Sequence, residues 1–138
     1  SPGSTRQNIV AVGFRTTVVG NSTNSINVGS KNLISTNRES VALGSSNVIQ
    51  GNGSRGIAIG IQNTVSKEGI AIGRLNSSTK SQLVMGIGNS SVPASGNGAW
   101  EITIGSFNTG NASSNIVGKS NTNNVRVNIF GNNNTNSK

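Results

Sequence analysis

A chain of 138 residues, 31% hydrophobic and 3% aromatic, suffices for one domain but not for a large two-layer core. Eleven Lys and Arg against three Glu, with no Asp and no His, give a net charge of +8 that favours anionic partners, and the lack of Cys excludes a disulfide framework. No run approaches the roughly 20 apolar residues of a membrane span. Without His, Cys, Asp or Tyr the usual acid–base, nucleophile and metal constellations are missing, so no catalytic residue, metal or cofactor is expected.

Residues 1–7 (SPGSTRQ) read as a leader or a cloning remnant, and a repeat then runs from residue 8 to residue 134, before a tail over 135–138. In chain order its strands are VAVG (10–13), INVG (26–29), VALG (41–44), IAIG (57–60), IAIG (70–73), LVMG (83–86) and ITIG (102–105). Two looser copies, SNIVG and VNIFG, read as if the apolar pair had moved by one residue. The closing glycines are Gly13, Gly29, Gly44, Gly60, Gly73, Gly86, Gly105, Gly118 and Gly131, at spacings of 13 to 16 with one of 19. The residue before each is apolar. Three residues after it stand Asn32, Asn47, Asn63, Asn76, Asn89, Asn108, Asn121 and Asn134, with only Thr16 out of rank.

This period is too short for helical repeats or propeller blades. It predicts an all-β solenoid of about nine coils, each with two short strands and two turns. Within the first strand the apolar pairs (Ile57 and Ile59, Ile70 and Ile72) alternate with period two and share one face, expected to fill the roll. The residue between them is Ala11, Asn27, Ala42, Ala58, Ala71, Val84 or Thr103, expected to let a neighbour come close. Apolar character on both faces implies that both are covered, and hence an oligomer whose protomers share a core. The glycine is expected to make the turn, and the Asn column to tolerate left-handed geometry while stacking as an amide ladder. A second strand carries Val18, Ile34, Ile49 and Val65, and fades to Ser78, Ser91 and Gly110.

The stretches NIVAVG, ESVALGSSN, RGIAIGIQN and EGIAIGRLN resemble the YadA-like heads of trimeric autotransporter adhesins. The resemblance implies a left-handed parallel β-roll, three of which pack about a threefold axis with their apolar strands inward. It implies further a homotrimer at the tip of a fibre anchored in the bacterial outer membrane, without membrane insertion by this segment. Such heads act in cell adhesion and virulence by binding extracellular matrix protein, glycan or another cell. Phage tail fibres borrow similar folds, so a receptor-binding or shaft segment of a virion is the alternative.

Ligand-contact candidates come from breaks in the rhythm and from charge. The long spacing leaves an inserted loop near residues 90–100, with Pro93 and the only Trp, Trp100, as an interface anchor. The cations Arg15, Lys31, Arg74 and Lys119 follow repeat glycines by one or two residues, which places them at one turn as a basic stripe for sulfated glycan or anionic protein. Specific nucleic-acid binding is not expected, since aromatics for stacking are nearly absent. Glu39, Arg55 and Glu68 share a column and predict a charge ladder. No regular Thr-x-Thr column suggests an ice-binding face.

Overall fold

The computed structural model describes residues 8–20, 22–35, 38–51, 55–80, 82–92, 101–111, 115–124 and 127–136. Residues 1–7, Pro93, Trp100 and the rest of the 93–100 loop, and residues 137–138, lie outside them. Long and short strands alternate: β1 (Val10–Phe14), β2 (Thr17–Val19), β3 (Ile26–Ser30), β4 (Leu33–Ser35), β5 (Val41–Ser45) and β6 (Val48–Gln50). They continue as β7 (Ile57–Ile61), β8 (Thr64–Ser66), β9 (Ile70–Arg74), β10 (Ser77–Thr79), β11 (Gln82–Ile87) and β12 (Ser90–Ser91). The last are β13 (Glu101–Ser106), β14 (Thr109–Gly110), β15 (Asn115–Lys119), β16 (Thr122–Asn123), β17 (Ile129–Asn132) and β18 (Thr135–Asn136).

The odd strands form one parallel nine-stranded sheet and the even strands another. This is a parallel β-solenoid, and no described residue is helical. The register places every repeat glycine beside the next, from Gly13↔Gly29 to Gly118↔Gly131. The short second strand persists to the end of the ladder even where its side chains shrink.

The two faces of the long strands are the reverse of the sequence expectation. Ala42, Ala58 and Ala71 are fully buried between the sheets, and the isoleucine pairs point outward. Size explains it. The sheets lie so close that Ala42, Ala58 and Ala71 cluster with Ile34, Ile49 and Val65 of the short strands. Where the short strand fades to Ser78, Ser91 and Gly110, the long strand enlarges to Val84, Thr103 and Ile116. The two inward columns thus trade volume along the axis, which keeps a thin interior filled. The apparent one-residue shift in the last copies has the same cause: Thr103 pairs with Ile116 and Ile116 with Ile129, so register is kept and the inward residue is simply larger.

The turn chemistry also differs from expectation in its placement. Each repeat glycine lies within the long strand, at φ between 118° and 145°, not at the turn itself. A methyl group on Gly60 would fall on the carbonyl oxygen of Gly73, so both the angle and the stacking demand glycine. The chain bends two residues later, where Arg15, Lys31, Ser46, Gln62, Leu75, Phe107, Ser120 and Asn133 hold φ of 54–58°. From Lys31 onward their N–H groups still bond across coils, as from Leu75 to the Ile61 carbonyl (3.0 Å).

The Asn column itself is not left-handed. Its side chains are buried from Asn32 to Asn121 and form the ladder. Asn63 Nδ2 donates to the Ile59 carbonyl (3.0 Å) and to the Gly73 carbonyl one strand on (2.9 Å), while its Oδ1 accepts the Asn76 backbone N–H (3.1 Å). The same pattern recurs from Asn32 through Asn121, and Asn134 ends the ladder by donating its Nδ2 to Asn121 Oδ1 (3.0 Å). A buried amide is tolerable only when so satisfied.

Candidate functional site

Two apolar columns run along the outside of the long-strand sheet. One holds Val10, Ile26, Val41, Ile57, Ile70, Leu83 and Ile102; the other holds Val12, Val28, Leu43, Ile59, Ile72, Met85, Ile104, Val117 and Phe130. In-register stacking half-covers most of them, but Val12 remains 57% exposed and Phe130 73%. Apolar residues placed like this lose no backbone satisfaction, because both neighbours in the sheet are paired. What they lack is cover.

The outer face of the short-strand sheet is its opposite. There the register passes from Thr17 through Leu33 and Val48 and then stacks Thr64, Ser77, Ser90, Thr109, Thr122 and Thr135 in one hydroxyl column. The column two residues on passes through Ser66, Thr79, Val92, Asn111 and Asn124, so no double threonine array results.

At the rim where the long strands end, the four predicted cations sit on one turn but not in one stripe. Arg15 and Lys31 occupy equivalent left-handed positions on successive coils, and the Arg15 guanidinium lies 5.0 Å from the centre of the Phe14 ring. Arg74 and Lys119 end β9 and β15, with Ile87 of β11 and Ser106 of β13 between them, a separation of roughly 14 Å at ordinary strand spacing. Exposed Ile61, Leu75, Ile87 and Phe107 fill the intervening rim, a feature hidden in sequence among the polar turn residues.

At the opposite rim, where the long strands begin, Arg55 Nε lies 2.7 Å from Glu39 Oε2, which is the first half of the expected charge ladder. Glu39, Arg55 and Glu68 with Gln82 form the wall of a cleft of about 350 Å³, whose floor is Ile57, Ile70 and Leu83 of the apolar face.

Glu101, the third carboxylate, is inside the roll. Its Oε2 is 3.5 Å from Gln82 Nε2 and its Oε1 is 3.5 Å from Thr103 Oγ1. The carboxyl fills the space that a side chain on Gly110 would need. Burial raises its pKa to about 7, against the weak pull of the Ser91 and Thr103 hydroxyls. No cation shares this interior among the described residues, so the group keeps its proton in acid solution and gives it up as the pH rises through neutrality. Sequence reading missed it, because the neighbouring insertion masks its equivalence to Ser40, Gly56 and Gly69 in the inward column.

No protein-family model matches the chain, and no curated protein or solved structure matches it.

Proposed function

We propose that this chain is the non-enzymatic adhesive head of a trimeric surface fibre, similar to the YadA-like heads that its repeat resembles. In this reading a left-handed roll of about nine coils packs with two further copies through the outward faces of their long-strand sheets. The observation that carries it is the pair of outward apolar columns. Monomeric proteins rarely leave so continuous an apolar face in water, and the thin interior with its three core alanines provides little burial for a lone copy.

The surface left to a ligand is then the short-strand sheet and the turn with Arg15 and Lys31, which suits a sulfated glycan or an acidic matrix protein. Bacterial cell-surface location follows from the same reading. Sedimentation of the purified chain tests the assembly, with a homotrimer expected and a stable monomer overturning it. A glycan and matrix-protein binding screen tests the adhesive role. Binding should weaken in moderate salt and in an Arg15→Ser, Lys31→Ser variant; a chain that assembles but retains no ligand is not an adhesive head.

A further inference from the structure

We infer that the two rims of the apolar face meet between copies, with Arg74 of one copy seated in the Glu68 cleft of the next. The inference rests on the shared-face reading above and adds its register and its polar contact.

All strands of the long-strand sheet run the same way, so the rim of strand starts differs chemically from the rim of strand ends. At the end rim, Arg74 is paired in register with Ile61 on one side and Ile87 on the other, both about half exposed. It is a cation flanked by two apolar side chains. At the start rim, the cleft has an apolar floor of Ile57, Ile70 and Leu83. Those three belong to β7, β9 and β11, the strands that carry Ile61, Arg74 and Ile87 at their other ends. The two features therefore stand at the same level along the solenoid axis.

Charge agrees with shape. Within the cleft Arg55 is taken by Glu39, which leaves the Glu68 carboxylate as excess negative charge over an apolar floor. An Arg with an aliphatic stem and a planar head is the side chain that suits such a place. A start rim meeting an end rim is a contact between unlike surfaces, which repeats around an axis and closes when copies stay level. Arg74 is thereby assigned to assembly rather than to the ligand.

Paired cysteines test the geometry in a chain that has none of its own. The Arg74→Cys, Glu68→Cys double variant should oxidise to a covalently closed trimer, and neither single variant should link. Linking by a single variant, or none by the double, overturns the rim contact. A covalent dimer keeps the contact and overturns the trimer. Charge reversal gives a second readout at low ionic strength. Arg74→Glu and Glu68→Arg should each weaken association at least tenfold, and together they should recover most of it, with the circular dichroism of the β-fold unchanged. Unaltered association in both single variants overturns the inference while leaving the trimer intact, whereas a monomeric parent chain removes its premise as well.

Discussion

The Asn63 side-chain amide donates to the Gly73 carbonyl across neighbouring coils at 2.9 Å, and this bond joins the two most regular columns of the repeat. The glycine is needed because only a residue without Cβ lets the next strand come so close, and the bond is needed because the Asn63 amide that makes it is itself fully buried.

Removing that amide should therefore cost far more in the middle of the ladder than at its end. Asn63→Ala leaves the Ile59 and Gly73 carbonyls and the Asn76 N–H without their partner, a loss of about 2–4 kcal/mol. Asn134→Ala, at an exposed position between the last two strands, should cost about 1 kcal/mol or less. Urea denaturation of the two variants gives both values, and equal losses would contradict the ladder's role.

Backbone angle gives a pair of opposite substitutions. Gly60→Ala combines a φ of 121° with a collision against the Gly73 carbonyl, and should prevent the fold or destabilise it by more than about 4 kcal/mol. Leu75 holds φ of 57°, where a side chain branched beyond Cβ has no compensation of its own. Leu75→Gly or Leu75→Asn should stabilise by about 1 kcal/mol, read as a higher denaturation midpoint.

The direction of the long strands' faces can be checked by placing a charge on each. Ala58→Lys puts an ammonium group into a fully buried site and should abolish the cooperative β-sheet signal. Ile72→Lys faces outward, so the chain should keep its β-sheet spectrum and lose its association. Loss of fold in both variants would show that the outward column supports the single roll after all.

Glu101 makes stability depend on pH in an unusual sense for a carboxylate. Its pKa is raised from 4.5 to about 7 in the fold, so the native state binds more protons than the unfolded chain between those values. Stability contributed by this group is full below about pH 4.5, declines as pH rises to about 7, and is level above that. The change is on the order of 1–3 kcal/mol. Glu101→Gln keeps the shape without the proton and should flatten the thermal-denaturation profile across that window. A parent chain whose midpoint does not fall between pH 5 and pH 7.5 would place the carboxyl in water.

The period, the glycine column, the Asn column and the parallel coiled architecture were all legible in the sequence, because each reflects a local demand that recurs once per coil. A backbone that must stack on itself at strand spacing accepts only glycine at one position and a satisfied buried amide at another. Which face of the long strand lies inside was not legible. Alternation separates Ile57 and Ile59 from Ala58 but treats both sets as apolar, and the larger side chains look like the better core. The tertiary structure decided otherwise through the distance between the sheets, which admits Ala58 opposite Ile49 and Val65 and has no room for a second isoleucine. The same limit hid Glu101, whose burial depends on the small residues Ser91 and Gly110 across the roll, which come into contact with it only once the coils are stacked. Spacing along the chain thus determined the ladder, and volume across it determined what the ladder encloses and what it presents.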